Sequence, residues 1–191
     1  MANQEQRMHQ LSEIGAYLEG HFELTTGRHS NQFFMLARLT ERPWLLRDWA
    51  KALAEGLDRV GRISQVVGPA MGGIIPGYAV AEHLKGVRMI FAEKASDGTM
   101  ALRRGFRVEP GEPVVVVEDA VTTGGSVSKV INVIEASGGR VLAVGTLVDR
   151  TGGHAPWPIP LVSVVSVAVP SWQPSECPLC EAKLPLVRPK A

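Results

Sequence analysis

Cysteine is scarce in this chain. Two cysteines among 191 residues cannot build a disulfide framework, which excludes a small stapled secreted module. A surplus of either charge is missing as well. Twenty Lys+Arg stand against nineteen Asp+Glu, a formal net charge of +1, so no broad electrostatic grip on nucleic acid or an anionic membrane is available. A polyanionic ligand must then be held locally, by backbone N–H groups, a few placed side chains or a metal. Long apolar runs are absent too. The longest, Leu161 to Val169, carries two serines and is too short to span a bilayer. Met1 to Gln10 is polar and lacks the apolar stretch of a signal peptide. A soluble cytoplasmic protein with no membrane or nucleic-acid partner is therefore expected. There is no internal repeat, no P-loop and no G-x-G-x-x-G fingerprint. The five histidines form no H-x-x-x-H cluster.

What is present is core material. Hydrophobic residues make up 45% of the chain, enough to fill one domain of this length. Arg7 to Glu19 reads as a helix, from Met8, Leu11, Ile14 and Leu18. A polar turn at 25–30 then leads to a strand over Gln32 to Ala37. Pro43 suits the first turn of a helix running to about Val60, with Leu46, Trp49, Ala50, Leu53 and Leu57 on one face. Strand and helix then alternate: strand Gln65–Gly68, helix Gly72–Leu84, strand Val87–Ala92, strand Pro113–Glu118, helix Gly125–Ala136, strand Val141–Val148. Pro76 fits its helix only in the first turn, and four consecutive valines suit a strand covered on both faces. The fold class this implies is α/β: an open, mainly parallel sheet flanked by helices. Residues 1–191 are expected to form a single domain. Its core spans about 43–152, and the N-terminal segment of about 1–42 with the Pro-rich C-terminal tail forms a small hood.

The chemistry concentrates in Val114 to Ser126, VVVVEDAVTTGGS. A buried strand ends in two carboxylates, and a turn of small hydroxyl and glycine residues then opens a helix. Ligands of open parallel sheets sit beyond the carboxyl ends of the strands. Thr122, Thr123, Gly124, Gly125 and Ser126 would there present N–H groups and hydroxyls at a helix N-terminus, a phosphate site that needs no lysine. Glu118 and Asp119 would repel a phosphate, so their task must differ: accepting from sugar hydroxyls, or holding a metal's water shell. The alternative for each residue alone is a plain cap or turn former; the complete constellation is far more specific.

That segment closely resembles the phosphoribosyl-diphosphate (PRPP) motif of type I phosphoribosyltransferases. Phe22-Glu23-Leu24-Thr25-Thr26-Gly27-Arg28-His29-Ser30, Gly68-Pro69-Ala70-Met71-Gly72-Gly73 and Val148-Asp149-Arg150 narrow the resemblance to the orotate phosphoribosyltransferases. It covers about Ile14 to Arg150, and the tail from Cys177-Pro178-Leu179-Cys180 through Pro185-Leu186 is similar to one branch of them. The resemblance implies transfer of ribose 5-phosphate from PRPP to orotate in pyrimidine (UMP) synthesis, giving orotidine 5′-monophosphate and pyrophosphate. PRPP would be bound by Glu118, Asp119, Ala120, Val121, Thr122, Thr123, Gly124, Gly125, Ser126 and Lys94. Gly68, Pro69, Ala70, Met71, Gly72 and Gly73 would form the pyrophosphate loop, and Thr122 and Arg150 would meet orotate. Lys94 and Asp119 are the implied catalytic pair. Mg²⁺ is the implied cofactor, held mainly through PRPP and water, with no metal ligand from the protein. A homodimer is also implied, its mobile loop of Glu93 to Arg104 reaching into the neighbouring subunit's site.

The loop departs from the family pattern. Lys94 matches one lysine, whereas the second lysine and the histidine of many members have no counterpart. Arg103 and Arg104 would either supply charge or form a solvated face. Thr25 stands where many members carry lysine. Two alternatives remain open: a phosphoribosyltransferase for a purine base, and a PRPP-sensing regulator of the same fold. Cys177 and Cys180 are read as two reduced thiols in a structural loop, because zinc needs four ligands and no histidine lies near them in sequence.

Overall fold

Proline, glycine and apolar spacing set where the elements begin and end. The computed structural model describes residues 3–24 and 26–189. In chain order the elements are α1 (Gln4–Glu13), β1 (Tyr17–Glu23), β2 (His29–Phe34), α2 (Ala37–Thr40), α3 (Pro43–Leu57), β3 (Gln65–Pro69), α4 (Ile74–Ala81) and β4 (Arg88–Lys94). There follow β5 (Met100–Leu102), β6 (Pro113–Val121), α5 (Gly125–Ala136), β7 (Arg140–Asp149), β8 (Leu161–Ser166) and α6 (Pro178–Glu181). The chain divides into two compact units. One is Arg42–Val167; the other joins the chain through Glu41 to the chain from Ala168 onward.

The larger unit is a six-stranded sheet in the order β5-β4-β3-β6-β7-β8. Neighbours run parallel throughout, except that β5 returns antiparallel along β4. Val114 to Val117 are fully buried, because β6 lies at the centre of the sheet and is covered on both faces. On one face α5 packs Val127, Val130 and Ile134 into a cluster with Val67, Val114, Val116 and Val144. On the other lie α3 and α4. A Cβ on Gly145 of β7 would stand 2.9 Å from Leu57 of α3, so the glycine lets that helix seat directly on the strand. Pro43 opens α3 and Pro76 sits in the first turn of α4, where a missing N–H costs nothing.

The smaller unit contains α1, the antiparallel pair β1–β2 and the tail. Here the sequence expectation of one helix over Arg7 to Glu19 is corrected. The helix stops at Glu13, Gly15 takes φ +69, and the chain turns into β1. Leu18, counted there as a helical apolar position, lies in a strand. Two further strands, β5 and β8, also lay outside the sequence reading. Among the described residues no helix is long and apolar enough to cross a membrane.

Candidate active site

The cavity of the larger unit is built around the turn after β6, with residues of β4, β5 and α5 beside it. Gly124 is the N-cap of α5 with φ +74, and no side chain caps the helix, so its first N–H groups face outward from the turn. A Cβ at Gly124 would collide with Trp157 and Pro156. Only glycine satisfies both the backbone angle and the space. The turn lines a cavity of about 340 Å³, and Lys94, Glu118 and the whole stretch Ala120 to Ser126 contribute to its wall.

Glu118 is 8% exposed. Burial pushes its carboxyl from the ordinary 4.5 up to about 9, and the neighbouring Asp119 adds to the rise. Asp119 turns back on its own strand end, accepting from the Ala120 N–H at 2.6 Å. The loop 68–73 lies alongside both. A Cβ on Gly72 would stand 2.9 Å from a Glu118 carboxylate oxygen and 3.0 Å from one of Asp119. A Cβ on Gly68 would strike the Gly73 carbonyl. The glycines thus fold the loop tightly enough to bring its backbone against the acidic pair. The Ala70–Met71 peptide is cis.

Arg150 follows β7, and its N–H donates to the Val121 carbonyl at 2.8 Å. This tie fixes it beside the turn at Thr122. Its half-buried guanidinium is lowered in pKa by desolvation, and it is not part of the cavity wall. Asp149 shapes the loop beyond. It accepts from the Thr151 N–H and hydroxyl, both at 2.7 Å, from Ser166 at 2.7 Å and from the Gly153 N–H at 3.2 Å. Burial raises the Asp149 carboxyl, but these donors outweigh it and hold the pKa low.

The segment expected as a mobile loop is a short hairpin. Lys94 of β4 pairs with Met100 of β5, and Asp97 caps the turn by accepting from the Thr99 N–H and hydroxyl. These bonds lower the Asp97 pKa. Arg104 is engaged: it donates to Glu93 at 2.5 Å and stacks 5.7 Å from the centre of the Phe91 ring. The sequence reading missed Lys129. It lines the cavity and its Nζ donates to the Gly98 carbonyl at 2.5 Å. Its spacing, four residues after Gly125 on α5, puts it one turn above the phosphate-type turn, and that signal was available. Thr25 lies outside the described residues.

No histidine lies near Cys177 and Cys180 in sequence, but two lie near them in space. The thiols are free, but the fold carries His21 and His29 to them: the four ligand atoms lie within 4.8 Å of one another.

A family model for the phosphoribosyl transferase domain matches residues 37–178. The sheet and its acidic pair and glycine turn are therefore those of a phosphoribosyltransferase, a transferase enzyme. An orotate phosphoribosyltransferase of Desulforamulus reducens is 44% identical over 187 residues, 98% of this chain and 96% of its own length. One from Heliobacterium modesticaldum is 50% identical over 175 residues, 91% of each chain. The orotate phosphoribosyltransferase structure from Aeropyrum pernix matches with a TM-score of 0.70 at 28% identity, covering 83% of this chain and 92% of that one. The chain belongs to the orotate phosphoribosyltransferase family.

Proposed function

We propose that this chain transfers ribose 5-phosphate from PRPP to N1 of orotate, releasing pyrophosphate. One observation carries the reading: an uncapped helix start, a buried carboxyl and a lysine share one cavity wall. The parts match the charges that the reaction develops. Cleaving the anomeric C–O bond builds positive charge on the ribose ring and negative charge on pyrophosphate. The turn Thr122 to Ser126 would hold the 5-phosphate on backbone N–H groups and hydroxyls. The Asp119 carboxylate would accept from ribose hydroxyls, while Glu118, whose carboxyl keeps its proton at neutral pH, can donate to one. Lys94 and Lys129 would offset charge on the leaving group, and Gly68 to Gly73 would present backbone to it. Arg150 has the side chain suited to paired contacts with a planar, oxygen-rich base.

Mg²⁺ fits this donor set. The Asp119 carboxylate and the Glu118 carboxyl oxygen both lie against the backbone at Gly72, and hard oxygen donors acting through water are what that ion takes. When bound with PRPP it would neutralise pyrophosphate charge. A homodimer belongs to the same proposal. Met71, Ile75 and Tyr78 are 84%, 52% and 61% exposed, with Ile75 and Tyr78 one turn apart on α4, an apolar face that a second copy would cover. Free thiols suit the reducing cytoplasm. The reading of 1–191 as one functional domain, its hood built from both chain segments, also stands as part of this proposal.

The test is loss of near-ultraviolet orotate absorbance, dependent on PRPP and Mg²⁺. Asp119→Asn is expected to reduce turnover by ~10²–10³-fold, the usual cost of removing one transition-state contact. Turnover of adenine, guanine or xanthine in place of orotate would replace this reading with a purine one.

A further inference from the structure

We propose that His21, His29, Cys177 and Cys180 form a structural zinc site that fastens the C-terminal tail to the β1–β2 hairpin. All four ligand atoms lie within 4.8 Å of one another, and four of their six separations are close to the edges of a zinc tetrahedron. His21 Nε2 and His29 Nδ1 are 3.1 Å apart. Cys177 Sγ and Cys180 Sγ lie 3.5 and 3.7 Å from His21 Nε2, and Cys180 Sγ lies 3.3 Å from His29 Nδ1. Zinc bonded at ~2.3 Å to sulfur and ~2.0–2.1 Å to nitrogen sets ligand-to-ligand edges of roughly 3.3–3.8 Å.

The tautomer is also right. His21 Nδ1 lies 2.9 Å from the Leu184 carbonyl, which can only accept, so the proton sits on Nδ1 and the Nε2 lone pair points into the cluster. A backbone carbonyl on the far nitrogen is the usual outer partner of a metal-bound imidazole. Hydrogen bonding alone serves the cluster poorly. One Nε2 lone pair faces three neighbours, and it can satisfy only one donor. A cation at the centre engages all four lone pairs together. Two thiolates and two imidazoles in a closed set suit zinc, and they leave no open position for catalysis.

The surroundings show why such a fastening is useful. Among the described residues after Val167, Cys177 alone is buried. The tail is also held by backbone pairs, with Val187 bonded to His21 and Glu23 and Trp172 to His29, and by side-chain bonds from Arg28 to Ser171, Ser30 to Pro170 and Arg188 to Glu23. Both histidines lie on the strands that these pairs join.

The experiment uses the full chain purified without chelator. One equivalent of zinc per chain is expected by elemental mass spectrometry, falling at least tenfold in Cys177→Ser. Replacement with Co²⁺ should give the intense visible bands of a tetrahedral thiolate complex. That readout on the unaltered chain decides the matter even if the variant fails to fold. Chelation should also speed amide exchange at His29, Trp172 and Val187 while β6 amides stay protected. Trace zinc after dialysis against zinc, an octahedral cobalt spectrum, or a Cys177–Cys180 disulfide in the purified protein would each overturn the site.

Discussion

The sheet unit and the C-terminal tail of this chain are stabilised by different means, although the smaller unit also buries Leu11, Phe33 and Leu39. In Arg42–Val167 the strands and α5 bury valine, leucine and isoleucine completely, Leu147 and Ile134 among them. In the other unit the tail leaves Leu184 and Leu186 at 48% and 41% exposure, and backbone pairs, surface ion pairs and the four-ligand cluster do the joining. A central parallel strand excludes water from both faces, whereas an isolated two-stranded pair cannot. The lesson is that burial supplies the cooperative stability of the catalytic sheet, and polar connections supply the order of the tail.

The largest effect that sharpens this contrast comes from paired leucine truncations. Leu147→Ala is expected to cost ~2–5 kcal/mol, lowering Tm by roughly 2–4 °C for each kcal/mol in a chain of this size. Leu186→Ala should stay within about 0.5 kcal/mol of the parent. Equal losses in thermal unfolding would erase the distinction between the units.

Next in size is a pH effect confined to the sheet unit. Folded Glu118 holds its proton to about pH 9, while the unfolded group releases it near 4.5. Across that window the unfolded chain binds fewer protons, so stability falls as pH rises. Glu118→Gln has no proton to release, and its Tm profile should be flatter over roughly pH 5 to 9. Parallel profiles for the two proteins would show that Glu118 ionises in the fold without cost.

The smallest expected effects come from one exposed ion pair in each unit. Arg104 meets Glu93 at 2.5 Å and Arg188 meets Glu23 at 2.6 Å, with the arginines 64% and 70% exposed. Either Arg→Ala change should cost at most ~1 kcal/mol. Only Arg188→Ala should accelerate amide exchange at Glu23 and Val187; acceleration in β6 as well would couple the units more tightly than their cores imply.

The sheet was legible because its signals are local. Four valines before two carboxylates mark a central strand and its functional end, and Gly125 to Ala136 has both its helical face and its glycine stop. Glu118, Thr122 to Ser126 and Lys94, all named from the sequence, meet in one cavity wall; the turn after β6 gathers all but the lysine, which β4 supplies. What escaped depends on contacts distant in sequence. Leu18 and Ile14 fit helical spacing as well as strand alternation, and only the break at Gly15 decides between them. The edge strand β8 is a run interrupted by Ser163, and its identity comes from pairing with β7. His21 and Cys177 are 156 positions apart, so no spacing rule links them. Lys129 was within reach of a helical-spacing argument and was passed over.

The split origin of the smaller unit sets an order on biosynthesis. His21 and His29 leave the ribosome early, yet every strand of the sheet must be made before Cys177 and Cys180 follow. All strands of the sheet are therefore synthesised while the hairpin at the front still lacks its partner. Closing the four-ligand cluster is a late event by topology alone.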